Sequence, residues 1–192
     1  MHLPGIRIAY PSNAADAKGL LKTACRSQDP VLFLEHKGMY RQGFAKRPEP
    51  DADYLLPFGQ AAVVREGSHM TIVTYGMMVY KSLEVAKELE KEMGASIEII
   101  DLRTLNPLDK ATIGRSIQKT NKVMVVYEDT LTAGPGAEIA AIIAEEYFEA
   151  LDGPVLRVAA KDSPVPFNPD LEEEVLPQTS NIMTTARRLL AY

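Results

Sequence analysis

The stretch Lys122–Pro166, KVMVVYEDTLTAGPGAEIAAIIAEEYFEALDGPVLRVAAKDSPVP, decides the fold. It opens on Val123, Met124, Val125, Val126 and Tyr127, an unbroken apolar run of strand length. A strand without polar alternation has to be covered on both faces, which puts it at the middle of a sheet. After Glu128, Asp129 and the turn Gly134-Pro135-Gly136, the residues Ile139, Ile142, Ile143, Tyr147 and Leu151 recur at helical spacing, with Glu138, Glu145, Glu146 and Glu149 between them. Gly153-Pro154 stops that helix and Val155–Ala159 follows as a second apolar strand, so the unit is strand, helix, strand with a parallel crossover. Ligands of open α/β sheets gather where strands run out into loops, which makes 128–136 the first loop to inspect.

Outward from this unit the same alternation continues. Met70–Tyr75 is a strand, Met77–Met93 a helix with Val79, Leu83, Ala86, Leu89 and Met93 inward, and Ser96–Ile100 a strand. Asn106-Pro107 has the form of an N-cap followed by the proline favoured at the first helical position, opening a helix with Ile113 and Ile117 inward. Beyond Asp162–Phe167, an irregular extended segment, a last helix capped near Thr179 or Ser180 turns Ile182, Met183, Ala186, Leu189 and Leu190 inward.

At the front, Ile6–Tyr10, a helix through Ala17, Leu20, Leu21 and Ala24, and Val31–Leu34 make one further βαβ unit. Roughly 40 residues cannot enclose a core, so this unit reads as the tail of a larger domain. Residues 46–60, proline-rich and charged, read as a connection, with Ala61–Arg65 an edge strand after it. The expected fold class is α/β: a three-layer α/β/α domain over 61–192 with a mixed, mostly parallel sheet of about five strands, preceded by the partial unit 1–45.

Composition narrows the partners. The 192 residues are 46% hydrophobic, enough for an ordinary core, and a net charge of -5 offers no general attraction to nucleic acid or anionic membranes. One cysteine, Cys25, forms no internal disulfide, and no long apolar segment or signal peptide precedes Pro4-Gly5, so an intracellular, non-membrane protein is expected. Chemistry-bearing motifs are sparse. Gly134-Pro135-Gly136 lacks the lysine of a P-loop and the glycine spacing of a dinucleotide fingerprint, and reads as a turn. Glu128 and Asp129 have no histidine near them in sequence and read as solvated or interface acids. His2, His36 and His69 stand singly, without metal-ligand spacing, and Cys25 reads as a buried or inert thiol. Glu35, His36, Lys37, Tyr40 and Arg41 read equally as an exposed loop or as a contact surface toward another subunit. No triad, metal box or phosphate cradle emerges, which points to an assembly or binding portion of something larger.

Several motifs together carry a resemblance. PGIRIAYPSNAADAKGLLKTACRSQDPVLFLEHKGMYR, HMTIVTYG, IIDLRTLNPLDKATI, GAEIAAIIAEEYFEALDGPVLRVAAKDSPVPF and LPQTSNIMTTARRLL resemble the beta subunit, or the beta portion of a fused alpha-beta chain, of a 2-oxo acid dehydrogenase first component. Those enzymes decarboxylate pyruvate or branched-chain 2-oxo acids with thiamine diphosphate and pass the acyl group to a lipoyl arm. The resemblance implies that residues 1–45 end a pyrimidine-binding domain and that 61–192 form a transketolase carboxyl-terminal domain whose first strand, Ala61–Arg65, runs antiparallel. It places the cofactor-activating glutamate and a substrate-adjacent histidine upstream of Pro4-Gly5, and the diphosphate with its magnesium in the alpha portion. No catalytic or cofactor-binding residue is therefore expected here, and the 192 residues by themselves are expected to be inactive. It further implies a structural potassium ion at Ala24, Cys25, Ser27 and Asp29, and docking of the acyltransferase core's peripheral-subunit-binding domain at Asp152 and Tyr192. Implied partners are an alpha subunit or portion, a second beta subunit and that binding domain, in the cytoplasm or, in a eukaryote, the mitochondrial matrix. The carboxyl-terminal part of a deoxyxylulose phosphate synthase or transketolase, and a non-catalytic binding module, stand as alternatives.

Overall fold

In the computed structural model, which describes all 192 residues, the chain runs β1 (Arg7–Ala9), α1 (Ala14–Ala24), β2 (Val31–Phe33), β3 (Ala62–Arg65), β4 (Met70–Thr74), α2 (Met78–Met93), β5 (Ile97–Asp101), β6 (Thr104–Asn106), α3 (Lys110–Thr120), β7 (Val123–Thr130), α4 (Pro135–Glu146), β8 (Leu156–Ala160), α5 (Pro169–Val175) and α6 (Thr179–Leu190). The larger sheet has the order β3-β5-β4-β7-β8. All its neighbours are parallel except the edge strand β3, which runs antiparallel to β5.

Both faces of this sheet are covered, and the strand period of two sorts side chains between them. On one face Ile72 of β4 and Met124 and Val126 of β7 pack with Val85 and Leu89 of α2 and Ile182 and Leu189 of α6. On the other, Val73, Val123, Val125 and Tyr127 pack with Ile113 and Ile117 of α3 and Ile139 and Ile143 of α4. Tyr127 is fully buried against the first turn of α4, where a Cβ on Gly136 would stand 1.9 Å from the Tyr127 ring. The glycine is needed there for close approach, while Gly134 serves as the N-cap.

Three local expectations are corrected. Asn106 does not cap a helix: it ends β6, and its Nδ2 donates to the Ile6 carbonyl at 2.7 Å, so the amide is committed to β1. The cap of α3 is Asp109, which accepts from Thr112 N. The central helix stops at Glu146; Tyr147 caps it, its hydroxyl donates to the Lys110 carbonyl, and a single 3-10 turn carries Phe148–Ala150. The last helix is capped one residue early, at Gln178, whose N–H donates to Asn181 Oδ1 at 2.8 Å.

The front unit does not stand by itself. β1 pairs β2 in parallel and β6 antiparallel, so its three-stranded sheet borrows a strand from the segment just after β5. Its own cluster is small: Ala9, Leu20 and Leu56, with Phe33, Tyr54 and Phe58 against them. Residues 46–60 form neither helix nor strand and run back over α1, with Tyr54 and Leu56 lying on Gly19.

Polar groups complete the union. The Ser12 hydroxyl donates to Asp101 Oδ2 and Arg103 N–H donates to Asp101 Oδ1 at 3.1 Å. Arg103 in turn donates to both Asp16 oxygens, at 2.8 and 3.0 Å, and Asn13 Nδ2 donates to Asp16 as well. Asp101 is wholly buried, and burial pushes its carboxyl up to about 6 despite the Ser12 bond.

Gly136→Ala is expected to lower the unfolding free energy by about 3 kcal/mol, the upper range for overpacking a dense core. Gly43→Ala, where an added Cβ meets nothing, should change it by no more than about 0.5 kcal/mol. Urea midpoints of the two variants check this, and equal midpoints would refute the packing role of Gly136.

Candidate functional site

The loops that leave β1, β2 and β4 and the last turn of β7 open toward one another, and each contributes a chemistry-bearing side chain. Tyr10 follows β1, His36 lies three residues past β2, Tyr75 follows β4, and Glu128 sits near the end of β7. His36 Nε2 lies 3.3 Å from Glu128 Oε1, with both side chains mostly shielded from solvent. The pair spans 92 residues, so Glu128 does have the histidine partner that its sequence neighbourhood lacks. Signals for it were present in the strand-end positions of both residues, not in their spacing. The Glu128 hydrogen bond holds the imidazole's pKa above its ordinary 6.5, against the burial that lowers it. The Nδ1 atom is sealed from water without a partner, under the loop at Gly38.

The two tyrosine rings lie 5.3 Å apart at 48°. Burial, reinforced by the Glu128 charge, pushes the Tyr10 hydroxyl up to about 12, and burial raises Tyr75 as well. Both phenols therefore stay neutral at physiological pH. Gly76 brings the turn after β4 against Tyr10: it has φ 60°, and a Cβ there would stand 3.0 Å from the ring. Lys81 of α2 faces the same region; burial lowers its pKa, and its ammonium donates to Pro177 O and Gln178 Oε1. The arrangement can hold and move a proton between imidazole and carboxylate and can offer neutral hydroxyl donors. It brings no group of three His, Cys, Asp or Glu side chains together for a metal.

Glu128 and His36 were both picked out in the sequence, whereas the residues implied by the resemblance fall elsewhere. Ala24, Cys25, Ser27 and Asp29 lie together at the exposed end of α1. There Ser27 N–H donates to Ala24 O at 3.0 Å, the Ser27 hydroxyl donates to Asp29 O at 3.2 Å, and Arg7 Nε donates to the Asp29 carboxylate at 2.8 Å. Cys25 is exposed, not buried, because the helix ends one residue before it. Asp152 and Tyr192 are brought together: Asp152 is exposed, its N–H donates to Asn121 O, and the Tyr192 ring lies over the neighbouring Gly153. Asp129 is exposed, and His69 Nδ1 accepts from Ser96 N–H in a turn.

Two titrations stiffen the fold toward mild acid. The buried Asp101, near 6 when folded against an ordinary 3.8, costs stability above pH 6, and the cost vanishes as pH falls toward 3.8. His36, raised above 6.5, contributes stability that is complete below pH 6.5 and is lost as pH rises through the folded value. Unfolding free energy is therefore expected to rise as the pH drops from about 8 to about 5, Asp101 alone contributing about 1.4 kcal/mol of the rise and His36 adding to it. In urea titrations across this range, His36→Gln should flatten the profile only above pH 6.5, and Asp101→Asn only below 6. A His36→Gln profile that overlays the parent would remove the imidazole from this account.

Comparison with known proteins agrees with the geometry. Residues 1–42 match the family model "Transketolase, pyrimidine binding domain" and residues 59–182 match "Transketolase, C-terminal domain". A mitochondrial pyruvate dehydrogenase E1 component subunit beta-2 of Oryza sativa subsp. japonica is 44% identical over 97% of this chain and 50% of its own length. The 2-oxoisovalerate dehydrogenase subunit beta of Bacillus subtilis is 44% identical over 98% of this chain and 57% of its own. A solved structure described as a split gene transketolase, inactive beta4 tetramer, superposes with a TM-score of 0.80 at 28% identity, covering 99% of this chain and 59% of that one. The chain thus spans about half the length of the curated relatives it matches. With a family model matched across most of its length and the same order of domains, this chain belongs to the transketolase C-terminal domain family, preceded by pyrimidine-binding-domain sequence.

Proposed function

We propose that these residues serve as the beta portion of a thiamine diphosphate-dependent 2-oxo acid dehydrogenase, which oxidatively decarboxylates pyruvate or a branched-chain 2-oxo acid and transfers the acyl group to a lipoyl arm. The observation that carries this is identity of 44% running through both domain matches to beta subunits acting on those two substrates. The rival, a transketolase or deoxyxylulose phosphate synthase part, has in its favour the structure of a split gene transketolase, at the lower identity of 28%.

In this reading the chain's contribution is assembly. Thiamine diphosphate, when bound, supplies the carbanion-stabilising chemistry of the parent enzyme. In this reading the magnesium-diphosphate cradle is assigned to the alpha portion. Its own residues hold Tyr10, His36 and Glu128 at the strand ends and join the two domains through Asp101. Residues 1–45 as the end of a pyrimidine-binding domain, 46–60 as linker and 61–192 as the carboxyl-terminal domain complete the proposed division. A structural potassium ion at Ala24, Cys25, Ser27 and Asp29 belongs to the same proposal: helix-end oxygens suit a hard cation, with Arg7 competing for Asp29. Asp152 and Tyr192 are the proposed contact for the basic peripheral-subunit-binding domain of the acyltransferase. A second beta subunit is a further proposed partner, and the setting is the bacterial cytoplasm or the mitochondrial matrix. No helix is long and apolar enough to cross a membrane.

Co-expression with an alpha portion is expected to give an assembly that decarboxylates pyruvate or 3-methyl-2-oxobutanoate only with thiamine diphosphate and melts higher in potassium than in sodium chloride. Calorimetry on the 192 residues by themselves should show no cofactor binding. Turnover of xylulose 5-phosphate instead, or micromolar cofactor binding by the lone chain, would overturn the assignment. Asp152→Asn is expected to slow association of the assembled enzyme with the acyltransferase's binding domain by a few-fold at low salt, with the difference shrinking as salt rises. Stopped-flow rates unchanged across ionic strength would remove Asp152 from the docking surface.

A further inference from the structure

The loop after β2 has a charge pattern the proposed function does not use. Lys37–Arg47, KGMYRQGFAKR, carries four cations and no acid in a chain whose net charge is -5. It arches over the N-terminal turn of α1 and encloses a cavity of about 320 Å³, a size that takes a small ligand. Pro11, Ala14, Ala17, Met39 and Ala45 give the cavity an apolar side, and Ser12, Asn13 and Gln42 also line it. At the rim stand Arg41 and Lys46, whose side chains make no ion pair or hydrogen bond anywhere in the protein. Their neighbours do not neutralise them. Glu35, the one carboxylate on the lining, accepts the Tyr40 hydroxyl at 2.7 Å, and the His36 ring is turned to Glu128. Arg41 is also held at φ 65°, a left-handed conformation that a non-glycine residue enters only at a steric cost.

A chamber with an apolar side, closed by two uncompensated cations, is suited to one chemical class. We propose that this cavity is a binding site for a small aliphatic carboxylate, with the acid group on Arg41 and Lys46 and the hydrocarbon body against Ala17, Met39 and Ala45. Arg41 presents a planar fork that matches a carboxylate in two-point contact, and Lys46 adds a point charge. The small volume of the chamber discriminates against larger anions, and its apolar side against more polar ones. The proposal does not depend on the assignment of decarboxylation chemistry: it would stand if the parent enzyme proved to use another substrate.

The test uses the intact protein carrying this chain, labelled at methionine methyl groups, with 3-methylbutanoate as the probe and 3-methylbutanamide as its neutral isostere. The acid is expected to shift the Met39 methyl resonance with a Kd of about 1 mM, and the amide to bind at least roughly tenfold more weakly, the usual effect of losing charge-assisted hydrogen bonds. The double variant Arg41→Gln, Lys46→Gln, confined to exposed side chains, should keep the parent melting temperature and raise Kd at least roughly tenfold. Ala17→Leu, which fills the chamber without altering charge, should abolish the shift. Equal binding of acid and amide, an unchanged Kd in the double variant, or a Met39 shift caused by an acidic peptide but not by 3-methylbutanoate would overturn the proposal.

Discussion

A single carboxylate without water, Asp101, holds the molecule's two parts in register. It ends β5 in the larger sheet, yet its oxygens are satisfied by Ser12, from the front unit, and by the Arg103 amide. Arg103 then carries the tie onward to Asp16 in the first turn of α1. A buried charge left unpaired is expensive, so the front unit cannot rotate away from the sheet without exposing or orphaning this network. The β1–β6 pairing and the Asn106 bond to Ile6 lie beside it and act in the same direction.

That union creates the strand-end region. The front unit has too small a cluster of its own to persist separately, with Ala9, Leu20 and Leu56 its only members below the surface. Docked, it delivers Ile8 to the core beneath α3 and α4, Tyr10 to Tyr75, and His36 to Glu128. The chamber under the Lys37–Arg47 loop lies within the front unit, lined by residues 11–17 and 35–46. Phe44 resting against Tyr80, with rings 4.5 Å apart, anchors the loop's far end on α2.

Much of the larger domain was legible in order and type. The β7 run, with no polar alternation, does sit between two parallel neighbours, and Ala62–Arg65 does form the antiparallel edge. Misreadings arose where a side chain was already engaged at long range. Asn106 has the form of a cap but its amide serves β1, and Tyr147 keeps helical spacing but turns out of α4 to reach α3. The candidate site was less legible. Glu128 and His36 each follow a strand, but they are 92 residues apart and their spacing does not announce the pairing.

By itself the sequence determined the layered α/β architecture, the central strand, the covering helices and the family resemblance, because hydrophobic period, turn residues and motif strings are local properties of the chain. Only the tertiary structure decided that β6 leaves its own domain to pair with β1, that Asp101 is closed by Ser12, and that His36 meets Glu128. Those outcomes depend on which distant groups a buried polar atom finds when water is excluded, and that is set by the packing of whole elements.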